Sequence, residues 1–197
     1  NGRVNLDVSG GSPGYTYQWS NGSGAQNLIN VPAGTYCVTV TDASGCTRTT
    51  CATVGQPAVL NLSAQVTNVS CFGGNNGSII LDVVGGTAPY TFLWTPGNIT
   101  TQDRSNLSAG AYTVKVTDAN GCTRQQTFPV TQPAQLSLGL GLVMSPNCSG
   151  NYNVNTTVSG GTLPYTYSWS TGWQFPNLFQ VPSGAEYCVT VTDAKGC

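Results

Sequence analysis

Histidine is absent from the 197 residues, and only six lysines and arginines and seven aspartates and glutamates carry charge. At 7% charged residues, against roughly 25% in an ordinary soluble domain, the chain cannot gather the basic cluster that nucleic acid or an anionic membrane surface requires. No apolar run approaches the ~20 residues of a membrane helix, so no membrane insertion of this segment is expected. The longest candidate, Leu136 to Met144, is short and holds two glycines. No signal-peptide pattern opens at Asn1, and since export needs one, the segment is expected to derive from a longer precursor. Without an imidazole, and without any CxxC pair, the donor sets of a zinc site are missing as well.

What is present is 8 cysteines, 25 glycines, 11 prolines and an abundance of Thr, Ser and Asn. Cysteines with no metal-site spacing read as disulfides, which places the chain in an oxidising, extracellular compartment. Solubility then rests on hydroxyls and amides.

The dominant signal is an internal repeat. GGSPGYTYQW (Gly10 to Trp19), GGTAPYTFLW (Gly85 to Trp94) and GGTLPYTYSW (Gly160 to Trp169) are copies of one phrase, with the tryptophans 75 residues apart. A second phrase closes each copy: NVPAGTYCVTVTDASGC at Cys46, NLSAGAYTVKVTDANGC at Cys122 and QVPSGAEYCVTVTDAKGC at Cys197. The joints GQPAVLNLSA around Pro57 and TQPAQLSLGL around Pro133 are also equivalent, and a short proline joint is stiffer than a Gly/Ser tether. The expected domains are residues 1–57 (lacking a first strand), 58–133 (complete) and 134–197 (lacking a last strand), with further repeats expected beyond both ends.

In the middle repeat, β-rich runs at Val59 to Val66, Ser78 to Val84, Tyr90 to Trp94, Ala111 to Thr117 and Thr123 to Val130 are separated by turn residues, and no helical period occurs. The expected fold is all-β: tandem immunoglobulin-like (PKD-like) antiparallel sandwiches of about seven short strands each. Alternation puts Tyr112, Val114 and Val116 inward and Thr113, Lys115 and Thr117 outward. Tyr36, Tyr112 and Tyr187 sit where a tyrosine-corner residue would, and Trp19, Trp94 and Trp169 are expected in the cores.

TDANGC reads as a type I turn with Gly121 left-handed in a G1 bulge. That register sets Thr113 opposite Thr127 and, in the first repeat, Cys37 opposite Cys51, close enough to bond. Both cysteines are present in one copy and both absent in the other, which predicts a Cys37–Cys51 disulfide. The middle repeat holds only Cys71 and Cys122, so these are predicted to pair, and by equivalence Cys148 with Cys197. Cys46 and Cys188 are then left with partners outside these 197 residues.

Taken in order, Cys71-Phe72-Gly73, Gly77-Ser78, Gly85-Gly86-Thr87, Pro89-Tyr90-Thr91, Trp94, Leu107, Ala109-Gly110, Tyr112 and Val116 through Cys122 resemble the SprB-type repeat of very large bacterial surface adhesins associated with gliding motility. The similarity runs through all three copies. It implies a repeated module exported to the surface of a Gram-negative bacterium, often by the type IX route, and no active site. The departures are the added Cys37, Cys51 and Cys188, and a shorter Cys148 to Trp169 stretch.

No enzymatic activity and no cofactor are expected, because Asp42, Asp118 and Asp193 recur once per copy at a turn. One carboxylate per turn also falls short of a calcium site, so turn capping is the expected role. An isopeptide cross-link is not expected, since Lys115 lies on the outward face and Lys195 in a turn. Trp173 and Phe175 stand where the first copy has Ser23 and Ala25; a sugar-stacking platform, a repeat–repeat contact and a cap over a local gap all remain open for them. The functional expectation is a stalk or filament region of an extracellular adhesin, each unit adding roughly 30–40 Å at strand rise. Its partners would be neighbouring repeats, surface glycans or lateral copies of itself. The alternative is a carbohydrate-binding or adhesive module attached to a secreted protein.

Overall fold

A computed structural model describes residues 2–144 and 151–197. Among the described residues every regular element is a strand. The middle repeat holds six: β6 (Asn61–Thr67), β7 (Gly77–Val84), β8 (Thr91–Thr95), β9 (Arg104–Leu107), β10 (Gly110–Thr117) and β11 (Thr123–Val130). They form two antiparallel three-stranded sheets, β6-β7-β9 and β8-β10-β11. This is the immunoglobulin-like sandwich with one edge strand fewer than the seven expected.

The first repeat pairs β1 (Gly2–Val4) with β3 (Leu28–Val31), opposite a sheet of β2 (Thr16–Trp19), β4 (Gly34–Thr41) and β5 (Thr47–Val54). The third orders β12 (Ser137–Met144), β13 (Asn151–Ser159) and β15 (Leu178–Pro182) in one sheet, and pairs β14 (Thr166–Trp169) with β16 (Val189–Thr192) in the other. Among the described residues the first repeat shows no counterpart of β6 and the third none of β11.

Each repeat closes around its own tryptophan. Trp94 is fully buried with Ile79, Leu81, Val114, Val116 and Phe128. Trp19 lies with Leu28, Tyr36 and Val38, and Trp169 with Val154, Leu178 and Val181. The three clusters share no residue. The indole N–H of each tryptophan donates to a carbonyl in the loop that follows, Ala25 at 2.7 Å, Thr101 at 2.9 Å and Phe175 at 3.0 Å, so the polar edge of the ring is satisfied inside the core. By density of contacts the chain divides into Asn1–Ala58 and Val59–Cys197, so the second and third repeats form one compact unit despite their separate cores.

The strand missed in the sequence, β9, hides its faces. Arg104 and Leu107 both turn inward although three residues apart, because Asn106 adopts a left-handed φ of 55° and inserts a bulge. Asn30 (56°) and Gln180 (53°) do the same in β3 and β15. A strand of four residues with period three gives no alternation to read.

Register equates Arg104, opposite Ile79, with Leu28 opposite Val4 and Leu178 opposite Val154. Both leucines are core residues, whereas Arg104 spreads its guanidinium over Trp94 (5.9 Å) and Tyr112 (5.5 Å), with Nη1 enclosed and without a hydrogen-bond partner. Cation–π attraction recovers only part of that desolvation. Arg104→Leu is therefore expected to stabilise the middle repeat by about 1–2 kcal/mol, read as a rise in the denaturant midpoint at constant slope.

Candidate functional site

Two structural devices draw on the closing phrase of the repeat: an aspartate clamp present in all three copies, and disulfides that use Cys37 and Cys197 of that phrase. In the first device an aspartate ties the last hairpin to the glycine-rich loop about thirty residues before it. Asp118 Oδ1 accepts the N–H groups of Asn120 (3.0 Å) and Cys122 (2.8 Å), while Oδ2 accepts that of Thr87 (3.0 Å). Asp42 does the same with Ser44, Cys46 and Ser12, and Asp193 with Lys195, Cys197 and Thr162. The turns have the expected form: Gly45, Gly121 and Gly196 all have φ near +80°, and each aspartate N–H donates to the carbonyl four residues on. The second glycine of each GG pair must be glycine. Gly11, Gly86 and Gly161 have positive φ, and a Cβ would stand 2.7–3.0 Å from the aspartate oxygen.

These carboxylates are occupied by the backbone, which fits turn capping and leaves little for an ion. At Asp42 the N–H of Ser12, then that of Cys46, draws the carboxyl below its ordinary 3.8; at Asp193 the Cys197 N–H leads. At Asp118 burial pushes upward, and the donors Cys122, Thr87 and Asn120 outweigh it. A carboxylate whose folded-state value is depressed stabilises the fold at pH above its unfolded value, and that stability is lost as pH falls through the folded value. The melting temperature is thus expected to hold down to about pH 4 and to drop below it. Asp118→Ala should melt lower at pH 7 and show a shallower acid decline, followed by circular dichroism across the pH range. Among the described residues no three His, Cys, Asp or Glu side chains gather to hold a metal ion.

The second device is covalent. Cys37 and Cys51 are bonded directly across the β4–β5 hairpin, between the threonine pairs Thr35–Thr53 and Thr39–Thr49. In the middle repeat Thr113 and Thr127 face each other at the same place, their hydroxyls 2.8 Å apart. Cys188 has the backbone setting of Cys37: its carbonyl accepts from Ser170 N–H as that of Cys37 does from Ser20, and it is unpaired.

The predicted Cys71–Cys122 bond does not form. Cys71 is bonded to Cys197, with Cα atoms 5.7 Å apart, and Cys122 is unpaired. Strand direction explains why. The β6–β7 loop carrying Cys71 lies beside the end of β11, where Val69 N–H donates to Thr131 O (2.9 Å) and Thr131 N–H to Asn68 Oδ1 (2.9 Å). The β10–β11 turn carrying Cys122 lies at the other end, beside Thr87. The eight residues of β7 separate the two ends by about 25 Å, far beyond the ~7 Å that a disulfide spans.

The joint instead brings the next repeat to the Cys71 end. Gln132 Oε1 accepts from Gly73 N–H (2.8 Å), Ala134 O accepts from Gly161 N–H (2.8 Å), and the Asp193 turn follows with Cys197. Since Cys197 is taken by Cys71, the predicted Cys148–Cys197 bond is excluded; Cys148 itself lies outside the described residues. Cys46 is exposed and unpaired.

Several tyrosines secure the loops. Tyr36 and Tyr112 donate to the carbonyls of Pro32 and Ser108 (2.9 Å each), the tyrosine-corner geometry; among the described residues Tyr187 makes no such bond. In the third repeat Glu186 is an added residue before the tyrosine, and β16 starts only at Val189. A second set, which sequence reasoning missed, ties Tyr15, Tyr90 and Tyr165 to the carbonyls of Gly10, Gly85 and Gly160. Its signal was the invariant five-residue spacing from GG to Tyr within the three copies.

Trp173 and Phe175 form an exposed pair, ring centroids 5.1 Å apart and inclined at 53°, with the Trp173 N–H donated to Asn177 O (2.9 Å). Rings so inclined make a wedge rather than the continuous flat face that a sugar ring would stack on.

Against known families, the SprB repeat matches residues 1–24 and 63–99, the segments holding the first two GG-to-Trp phrases. The sequence resemblance is shown for those segments. No curated protein matches. Among solved structures, the amphioxus IgVJ-C2 molecule is 16% identical with a TM-score of 0.34, covering 66% of this chain and 96% of that one. A Dscam structure concerned with isoform specificity is 12% identical (TM-score 0.30), covering 92% of this chain and 62% of that one. Domains 4–9 of the surface layer protein SbsC are 12% identical (TM-score 0.32), covering 84% and 33%.

Proposed function

We propose that these repeats are a stalk region of an extracellular bacterial surface adhesin, of the kind exported by the type IX route and used in attachment or gliding, and that they have no catalytic role. The observation that carries this reading is the Cys71–Cys197 bond, which fastens the far loop of one sandwich to the near turn of the next. A covalent tie between successive copies is of use to a chain that transmits position or force from end to end. It offers nothing to a unit that works alone. The similarity to SprB repeats supports the same extracellular setting. Cys46 and Cys122 occupy the turn position that Cys197 uses, so in a longer array they become ports for the loop cysteine of a preceding repeat.

The competing reading, a glycan-binding module, has one observation in its favour, the exposed Trp173–Phe175 pair. A glycan array probed with the purified chain separates the two. The stalk reading expects no signal above that of Trp173→Ala; binding that disappears in Trp173→Ala overturns it.

A further inference from the structure

We propose that the Cys71–Cys197 disulfide is a tension bypass, which takes β7 through β16 of the compact unit Val59–Cys197 out of the path of force. This rests on the stalk reading, because only a chain under tension would use it. Force arriving along β6 reaches Cys71 after a dozen residues. There the covalent path divides: one branch runs through the 126 positions separating the bonded cysteines, the other crosses the sulfur–sulfur bond directly to Cys197. The short branch becomes taut first, so β7 through β16, with Trp94, Trp169 and the joint at Pro133, stay slack, while β6, which gives Leu62 to the Trp94 core, remains in the path of force.

The placement suits this role. Cys71 lies in the loop that the chain meets immediately after its first strand, and Cys197 follows the last described strand of the unit. Almost all of the unit's folded mass therefore sits inside the closed loop. Both cysteines are half-buried, and the Cys197 sulfur packs 3.5 Å from the Ser70 carbonyl. The cross-strand bond Cys37–Cys51 bypasses only 14 positions and acts locally.

Single-molecule stretching of the full chain, held by handles at its two ends, tests the proposal. Each residue extends by at most ~3.6 Å, so reduction of Cys71–Cys197 by a dithiol, which supplies the two electrons and two protons, should lengthen the fully stretched chain by about 450 Å. Cys37–Cys51 should add about 50 Å more. Cys71→Ser and Cys197→Ser should each release the larger increment without reductant, and Cys122→Ser should leave the length unchanged. The readout is the length of the unfolded chain, so it does not require either variant to fold. A reductive gain of only about 180 Å, the span of a Cys71–Cys122 loop, or lengthening by Cys122→Ser, would overturn the proposal. A positive glycan array would refute the stalk reading while leaving these lengths untouched.

Discussion

Trp94→Ala is expected to unfold the middle repeat under conditions in which the parent chain is folded. The side chain is fully enclosed, tilts against Phe128 at a centroid distance of 6.4 Å and donates its N–H to Thr101 O. Truncating a buried tryptophan costs about 3–5 kcal/mol, because transfer free energy is lost and a cavity remains. A sandwich of some 75 residues has a net stability at the low end of the usual ~5–15 kcal/mol, so little is left. Loss of near-ultraviolet dichroism and a sharply lower denaturant midpoint would show it, with Trp94→Phe falling between. A cost below about 1 kcal/mol would mean that the tryptophan is not the centre of the core.

The second large effect runs the other way. Introducing Thr113→Cys together with Thr127→Cys is expected to give a spontaneous cross-strand bond that stabilises the middle repeat by about 3 kcal/mol, the chain-entropy figure for a loop of this length. Thr113 and Thr127 are directly opposed, and the first repeat already holds a bonded cysteine pair at the equivalent place. Melting with and without reductant measures the effect. An identical curve in both conditions would show that the two hairpins, alike in register, differ in backbone approach.

Much of this architecture could be read from residue spacing, because the information was local. A TDANGC turn fixes hairpin register by itself, and register alone put Cys37 opposite Cys51 and Thr113 opposite Thr127, as found. The buried tryptophans were marked by their recurrence once per repeat, and the Val114–Val116 face followed from period-two alternation. What failed was non-local. Pairing Cys71 with Cys122 treated the repeat as a closed unit and ignored strand direction, although an immunoglobulin-like strand order already puts the first loop and the last turn at opposite ends. Arg104 and β9 went unread because a left-handed Asn106 breaks alternation in a four-residue strand. The Trp173–Phe175 wedge was visible as two added aromatics, but its angle depends on a loop conformation that composition does not encode.

The bond from one repeat to the next is the feature on which the account turns, and proteolysis under non-reducing conditions followed by mass spectrometry of the linked peptides tests it most directly. The peptide containing Cys71 is predicted to be joined to the one containing Cys197, with Cys122 recovered as a free thiol. Recovery of Cys71 joined to Cys122 would contradict the head-to-tail connection.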